Sequence, residues 1–421
     1  MTRWTEPEAE RYLLGVELFG MRFGLERMHR LTTALGMPQR RFAQVHVVGS
    51  NGKSSTVRFV AALLERHGLR SGSYTSPHLK RFRERIEVGE RPISAERFAA
   101  AVQRSAEAIE LVERAAAGDE TVTQFEALTA AAYHELAASK VDVAVVEAGL
   151  GGRFDATNVI PSKVQVLTGV GLEHTRWLGP TIADIAAEKL AVVRDHATLV
   201  IPPDLDPDAR DVAEQVVADR HARLVVAPGP DEADIPGELR ARGSFQRRNF
   251  ALACAAAEAF LERSLDRAAV ASAAVETRVP GRLEVVFERP LTLYDGAHNP
   301  AGAAALAAAL PEVVANRRPL VLVVSVLEDK AAADMLVPLL PLADHLIFTR
   351  CANPRALSPA TLESLAQQLD GPEAEVVPDP HAALDRARTL AGATGAVLAT
   401  GSIYLIADLV RDQGDTRASA L

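Results

Sequence analysis

The segment VHVVGSNGKSSTVRFVAALL, from Val45 to Leu64, decides how the chain folds. A run of apolar residues is followed by a Gly-rich turn and then by a helical pattern, an order of elements that forms a cradle for phosphate groups. Gly49 and Gly52 let the backbone approach phosphate oxygens closely, and Lys53 reaches the outer phosphates. The sequence therefore predicts a phosphate-binding loop made of Gly49, Ser50, Asn51, Gly52, Lys53, Ser54 and Ser55.

The spacing of this loop differs from the general phosphate loop, because only Ser50 and Asn51 separate its two glycines. The simplest alternative is a strand-to-helix turn that happens to carry a lysine in its first helical turn. The strand before the turn and the helix after it favour the phosphate loop. Either Ser54 or Ser55 would help to hold the phosphates or their metal ion.

Further apolar runs without polar alternation predict strands that are buried on both faces, at residues 141–146, 164–167, 199–201 and 320–326. Ala-rich stretches between them predict helices at residues 55–66, 125–136 and 182–193. This alternation is typical of an α/β fold with a mostly parallel sheet and flanking helices.

The segment TRVPGRL, residues 277–283, predicts a boundary between two units, at residues 1–278 and 279–421. The second unit repeats the alternation, with strands expected at 291–294, 320–325, 345–349 and 396–399 and a helix from Ala301. It reads as a smaller Rossmann-like α/β domain. Ligands bind beyond the carboxyl ends of parallel strands, so the cleft between the units is the expected site.

The composition excludes several classes of function. The chain has 421 residues, a formal net charge of -9, and no run of Lys or Arg that would follow a nucleic acid backbone. Cys254 and Cys351 lack the spacing of a zinc site or a disulfide framework. The N-terminus does not resemble a signal peptide, and no apolar run is long enough to span a membrane. We therefore expect a cytoplasmic protein that binds neither nucleic acid nor membrane.

Three downstream residues are candidates for metal chemistry. Glu147 ends an apolar run before a Gly-rich turn, where an acidic residue would hold magnesium opposite the phosphate loop. His174 follows the next predicted strand and would offer an imidazole to the same metal. Lys189 lies seven positions after Ile182 on the apolar stripe of its helix. Its ammonium would either snorkel into water or require a partner or a chemical change in the interior.

The loop pattern GxNGK[GST][ST] resembles the ATP loop of the Mur ligase superfamily. The stretch YTSPHLKRFRERI, residues 74–86, resembles a segment that is characteristic of folylpolyglutamate and dihydrofolate synthases and absent in that form from cell-wall Mur ligases. Similar matches occur across nearly the whole chain. They are TQFEALTAAA, GLGGRFDATN, RRNFALA, VPGRLE, DGAHNP and TGSIYL.

This resemblance implies roles for individual residues. Ser76, Glu147 and His174 would bind magnesium, and Lys189 would be carbamylated to bind a second magnesium ion. Asn249, Arg282 and Asp295 would contact ATP, while His298 and Ser402 would lie at the site of the incoming glutamate. The implied catalytic residues are Lys53, Lys189 and His298. The Asp, Gly, Asn and Pro of the DGAHNP segment would also form a turn without any ligand.

The implied activity is ATP- and magnesium-dependent ligation of L-glutamate to dihydropteroate, to a tetrahydrofolate polyglutamate, or to both, through an acyl phosphate. The implied domains are an ATP-binding domain at 1–278 and a glutamate-ligase domain at 279–421, in a protein that is commonly monomeric. A cell-wall ligase is less consistent with the sequence, because the phosphate loop begins at Gly49 and leaves too little chain for a uridine-nucleotide domain. A nucleotide-dependent switch and a catalytically silent binding protein remain alternatives.

Overall fold

The 45–64 segment forms a buried strand and a helix, and the first of two sheets is built around them. The computed structural model describes residues 3–16, 24–115, 121–229 and 235–411. The strands of the first sheet are β1 (Ala43–Val48), β2 (Ser71–Tyr74), β3 (Ile86–Val88), β4 (Arg91–Pro92), β5 (Val143–Glu147), β6 (Val164–Leu167), β7 (Thr198–Ile201) and β8 (Arg223–Val226). Their order in space is β4-β3-β2-β5-β1-β6-β7-β8. The pairs β2–β3 and β3–β4 are antiparallel, and the other pairs of this sheet are parallel.

Helices cover both faces of this sheet. They are α1 (Glu6–Gly15), α2 (Glu26–Ala34), α3 (Lys53–Arg66), α4 (Ala95–Ala115), α5 (Gln124–Ala138), α6 (Thr175–Leu178), α7 (Ile182–Leu190), α8 (Pro207–Asp219), α9 (Ser244–Leu261) and α10 (Arg267–Glu276). Alternate side chains of β5 face opposite layers, because Val143 and Val145 pack with α3 and α9 while Ala144 and Val146 pack with α4 and α5. Burial on both faces explains why these strands lack polar alternation.

A second, six-stranded sheet follows in the chain. It contains β9 (Glu284–Glu288), β10 (Leu291–Tyr294), β11 (Leu320–Val324), β12 (His345–Phe348), β13 (Ala374–Val376) and β14 (Ala396–Thr400), in the order β13-β12-β11-β14-β10-β9. Its helices are α11 (Pro300–Val314), α12 (Ala332–Leu336), α13 (Pro359–Gln368), α14 (Pro380–Ala391) and α15 (Ile403–Val410). All strand pairs are parallel except that of β9 with β10. The predicted α/β fold class is confirmed.

The predicted elements differ from the observed ones mainly at their ends. The helix expected to reach Val193 ends at Leu190, and Val192 and Val193 instead turn inward and are buried. The strands β2, β3, β4, β8, β9 and β13 were not predicted. SGSY of β2 carries no apolar run, whereas the short run at 224–226 in β8 was overlooked. Within the described ranges, no helix is both long enough and apolar enough to cross a membrane.

His46 is an ionisable group fully buried on the central strand β1. Its Nε2 atom lies 2.8 Å from Thr157 Oγ1. The Thr157 hydroxyl donates its hydrogen to Asp155, so His46 Nε2 must donate to Thr157. Nδ1 is then a bare acceptor, buried without a hydrogen-bond partner among the described residues. Burial, reinforced by nearby Arg194, lowers the pKa of His46 from 6.5 to about 3.

We predict that His46 makes the protein acid-sensitive. Between pH 6.5 and about 3 the unfolded chain binds a proton at His46 that the folded chain does not, so stability falls as the pH falls. The free energy of unfolding should decrease by about 1.4 kcal/mol per pH unit from this group. His46→Gln keeps the donor to Thr157 and cannot titrate. Urea unfolding at several pH values should show a shallower acid limb for the variant, and parallel curves for both proteins would contradict the prediction.

Candidate active site

The predicted phosphate loop joins β1 to α3 at the carboxyl edge of the first sheet. Gly52 caps the helix with a φ of 87°, in the left-handed region that favours glycine. A Cβ atom on Gly52 would lie 2.5 Å from Asn249 Oδ1, so α9 closely approaches the loop. The Lys53 ammonium folds back over the loop and donates to the carbonyl oxygens of Gly49, at 2.9 Å, and Ser50, at 3.1 Å.

The loop is held in shape by the end of β6, the strand beside β1. The Thr168 hydroxyl donates to the carbonyl oxygen of Asn51 at 2.6 Å. The Ser50 amide donates to the carbonyl oxygen of Gly169 at 2.9 Å, and the Gly171 amide donates to Ser50 Oγ at 3.0 Å. The loop geometry therefore depends on contacts within the first unit.

Glu147 ends β5, directly beside β1, and is almost completely buried. Its Oε1 accepts from the Ser54 hydroxyl at 2.9 Å and its Oε2 accepts from the Ser76 amide at 3.1 Å. Burial raises the pKa of Glu147, and Lys53 counteracts this effect. Ser54, rather than the buried Ser55, thus faces the carboxylate. The structure brings Ser54, Ser76 and Glu147 together.

Behind Ser76 lies a buried pair that was not predicted. Arg85 is 1% exposed, and its Nε donates to His78 Nδ1 at 3.0 Å. The Arg85 guanidinium lies 5.4 Å from the centre of the Phe82 ring. Burial, together with the charge of Arg85, lowers the pKa of His78 well below its usual range, so His78 is neutral and carries its hydrogen on Nε2. Both residues belong to the segment 74–86, whose resemblance to the folate enzymes was the sequence feature that could have identified this pair.

Lys189 of α7 is buried with its ammonium inside the protein. Its Nζ donates to the carbonyl oxygen of Gly49 at 3.0 Å and forms an ion pair with Glu173 Oε1 at 3.2 Å. The snorkelling alternative is therefore wrong, because the side chain is 2% exposed. Burial lowers the pKa of Lys189 to about 8. Burial alone would raise the pKa of Glu173, but Lys189 and Lys53 lower it to about 2.

His174 follows Glu173 on an exposed turn with a φ of 50°. Partial burial of its ring and the nearby cations Lys330 and Lys189 lower its pKa. Across residues 3–16, 24–115, 121–229 and 235–411, no three His, Cys, Asp or Glu side chains lie close enough to share one metal ion. The predicted ligand set of Ser76, Glu147 and His174 therefore depends on a serine oxygen and stays a prediction.

In the second unit, Asp295 follows β10 and binds backbone amides. Its Oδ1 accepts from the Ala297 amide and its Oδ2 from the Leu283 amide, both at 2.8 Å. Burial raises the pKa of Asp295, whereas Arg282 opposes this. The Arg282 side chain lies over Gly296, where a Cβ atom would approach Arg282 Nη1 within 2.4 Å. Asp295 thus fixes the turn that presents Arg282 and His298.

His298 Nδ1 lies 2.9 Å from the carbonyl oxygen of Gly296. A carbonyl only accepts, so Nδ1 carries the hydrogen and Nε2 is left with a lone pair. Burial lowers the pKa of His298 to about 4, which keeps the ring neutral. Ser402 is buried and caps α15 by accepting from the Tyr404 amide at 3.2 Å. The next residue, Ile403, packs against Gly296, which places Ser402 near the His298 turn.

The two units meet at the phosphate loop, where the Asn51 and Asn299 side chains form hydrogen bonds at 3.1 and 3.0 Å. Lys330, which follows β11 and pairs with Asp329 at 3.0 Å, is a further cation in this crevice. It is close enough to His174 and His298 to contribute to lowering both pKa values. Sequence reasoning missed Lys330, although its place beyond the carboxyl end of a parallel strand is a typical ligand position.

A cavity of about 940 Å³ lies elsewhere. It opens at the amino edge of the first sheet, beside β6 and β7, and none of the predicted site residues lines it. We assign the active site to the crevice at the phosphate loop, because several buried charged groups lie there and both units contribute side chains to it.

Comparison with known proteins gives consistent matches. Residues 281–403 match the family described as Mur ligase, glutamate ligase domain. The chain is 33% identical to the dihydrofolate synthase/folylpolyglutamate synthase of Bacillus subtilis, across 96% of the chain and 97% of that relative. The structure resembles Mycobacterium tuberculosis folylpolyglutamate synthase complexed with ADP, with a TM-score of 0.88, 32% identity and coverage of 97% and 98%. For E. coli FolC in complex with DHPP and ADP the TM-score is 0.83, with 26% identity and coverage of 96% and 97%.

We predict that Gly52→Ala weakens binding of the ATP analogue AMPPCP by roughly tenfold or more, since loss of one charge-assisted hydrogen bond has about this effect. Gly68→Ala is a matched control. Both glycines have a φ of 87°, but a Cβ atom on Gly68 would have no neighbour within 4 Å. Both variants should lose about 1 kcal/mol of stability through backbone strain. Titration calorimetry should show normal AMPPCP binding only for Gly68→Ala; equal affinities would contradict the proposed close contact of loop and α9.

Proposed function

Because the chain belongs to the family of dihydrofolate and folylpolyglutamate synthases, we propose that it adds L-glutamate to dihydropteroate, to tetrahydrofolate polyglutamates, or to both. It is an ATP-dependent ligase. The observation that carries the proposal is the connection of the phosphate loop to Glu147 on one side and to Asn299 on the other.

A cell-wall ligase and a nucleotide-dependent switch are weaker candidates. The similarity to a folate enzyme extends over 96% of the chain and 97% of that relative, which favours a folate substrate over a cell-wall precursor. A switch would not need the second unit to present a neutral histidine to the phosphate loop. We place the domain boundary at 278/279, with ATP bound mainly by residues 1–278 and glutamate mainly by 279–421. The two cysteines form no disulfide, which is consistent with a cytoplasmic location, and we propose that the protein acts as a monomer.

The loop binds the phosphates of ATP through its backbone amides and Lys53. The amides at the start of α3 point out of the helix N-terminus and favour an anion. Lys53 is already held at the loop by two carbonyl oxygens and needs only a small movement to contact the outer phosphates. Arg282 and Asn249 border the same crevice and would orient the rest of the nucleotide.

The oxygen atoms around Glu147 fit magnesium, which prefers carboxylate and other hard oxygen ligands. Glu147, Ser76 and His174 would hold one ion, and Ser54 adds a hydroxyl beside the carboxylate. Bound magnesium would neutralise the charge that develops on the transferred phosphoryl group. Lys189 fits a second ion only as its carbamate. A pKa of about 8 leaves more of its amine unprotonated at neutral pH than an ordinary lysine has, and the free amine is the form that combines with carbon dioxide.

The reaction follows from the need to activate a carboxylate. The folate carboxylate attacks the γ-phosphorus of ATP, and the bond between that phosphorus and the bridging oxygen breaks. ADP departs, and the folate carboxylate has become an acyl phosphate. The free amine of L-glutamate then attacks the acyl carbon and phosphate leaves, which forms the amide. His298 is neutral with its Nε2 lone pair available, so it is able to hold the amine and accept its proton. Lys330 and Ser402 lie nearby to orient glutamate. Closure of the crevice keeps water from the acyl phosphate.

The direct test supplies ATP, L-glutamate and either dihydropteroate or tetrahydrofolate, and follows ADP release and product mass. We expect ADP to appear only with both organic substrates present, together with a product enlarged by one glutamyl unit. Offering both folates side by side identifies the preferred acceptor. ADP release that is independent of glutamate and folate would refute the ligase proposal and support a switch.

Lys189→Ala should lower kcat by roughly a hundredfold or more, because an anionic ligand and its charge stabilisation are lost. Acetate or propionate should restore part of the activity by supplying a carboxylate in the vacated space. Lys163→Ala, which alters an exposed lysine, serves as the control and should retain full activity. An active Lys189→Ala enzyme would show that no carbamate is required.

A further inference from the structure

The contact between the phosphate loop and the second unit is a reciprocal pair of side-chain amides. Asn51 Nδ2 donates to Asn299 Oδ1 at 3.1 Å, and Asn299 Nδ2 donates to Asn51 Oδ1 at 3.0 Å. The two residues are 248 positions apart in the chain. Each amide supplies one donor and one acceptor, so the pair fixes both distance and orientation.

Asn299 has a second contact that ties it to its own helix. Its Oδ1 also accepts from the Gly302 amide at 2.8 Å, which makes Asn299 the N-cap of α11. The residue is 7% exposed, so solvent does not readily replace either partner. A movement of the loop is therefore transmitted to the start of α11.

The residue before Asn299 is His298, whose ring is held by the Gly296 carbonyl oxygen. The backbone on both sides of His298 is fixed by hydrogen bonds. Asp295 accepts from the Ala297 amide before it, and Asn299 accepts from the Gly302 amide after it. The distance from His298 Nε2 to the phosphate loop therefore depends on where the start of α11 lies relative to that loop.

The loop itself does not need Asn299 for its shape. Thr168 Oγ1 donates to the Asn51 carbonyl oxygen, and the Ser50 amide donates to the Gly169 carbonyl oxygen. Lys53 Nζ donates to the Gly49 carbonyl oxygen within the loop. These contacts come from the first unit alone. The amide pair therefore aligns the second unit on a loop that is already formed.

We propose that Asn299 is a positioning residue that registers His298 against the nucleotide through its amide pair with Asn51, and so aligns amine attack with the activated carboxylate. This inference rests on the proposed ligase function. It predicts that the coupling of the two half-sites, rather than nucleotide binding, is lost when the pair is broken.

The test uses substitutions that preserve the helix cap. Asn299→Ser and Asn299→Asp both retain an oxygen able to accept from the Gly302 amide. A serine side chain is too short to reach Asn51. An aspartate replaces the Asn299 Nδ2 donor with a carboxylate oxygen, which repels Asn51 Oδ1. Both should lower kcat by roughly tenfold to a hundredfold through misalignment, while AMPPCP affinity changes less than about twofold. Ser358→Ala removes the cap of α13, away from the crevice, and should change melting temperature without changing kcat.

A second measurement separates coupling from simple damage. In a double-mutant cycle, Asn51→Ala combined with Asn299→Ser should have a kcat no lower than the worse single variant, because both remove the same contact. Additive losses would overturn the proposal, as would an Asn299→Ser enzyme with a kcat within about twofold of the parent. Loss of AMPPCP binding in Asn299→Ser would also overturn it, since Asn299 would then support the loop itself.

Hydrogen exchange gives a readout that does not depend on ligation. With AMPPCP bound, the backbone amides around His298 should exchange faster in Asn299→Ser than in the parent protein, because their turn has lost its contact with Asn51. Unchanged exchange would count against the amide pair. Absence of glutamate-dependent ADP release from the parent protein would instead refute the ligase function, and the exchange result would still stand.

Discussion

Two lysine ammonium groups meet at one backbone carbonyl, that of Gly49. Lys53 and Lys189 donate to this oxygen at 2.9 and 3.0 Å, and Glu173 is the anion that pairs directly with Lys189. Such a concentration of positive charge in a nearly buried position favours the binding of further negative charge. Against the effect of burial, the two lysines lower the pKa of Glu173 to about 2, whereas burial lowers the pKa of Lys189 to about 8. The site is electrostatically prepared for a polyanion in a chain that is acidic overall.

The local parts of this site are readable in the sequence, and the distant pairings are not. Gly49 to Ser55 lie within one strand, turn and helix, so their pattern alone predicts the loop. The burial of Lys189 depends on Gly49, 140 positions away, and helix periodicity is equally consistent with a solvated ammonium. Glu173 and Lys330 were missed because a single charged residue in a loop has no distinctive pattern. The strand SGSY was missed because its small polar residues acquire their strand pairing from β5 and β3.

The two units divide the chemistry according to what each sheet presents at its carboxyl edge. The first contributes the anion-binding loop and the Glu147 carboxylate, while the second contributes a neutral histidine and an arginine on a turn fixed by Asp295. Neither set is sufficient for joining an acid to an amine. The direct amide contact between Asn51 and Asn299 therefore connects the two half-sites at the phosphate loop.

The packing of α3 against α9 has a consequence for biosynthesis. Phe59 and Phe250 make an edge-to-face contact at 5.1 Å, and the α9 layer closes the face of the sheet that carries Val45 and Val47. Helix α3 ends at residue 66 and α9 ends at residue 261. During translation, the apolar surface of α3 therefore stays uncovered until nearly two hundred further residues have left the ribosome. Such delayed closure leaves the emerging polypeptide prone to aggregation during synthesis.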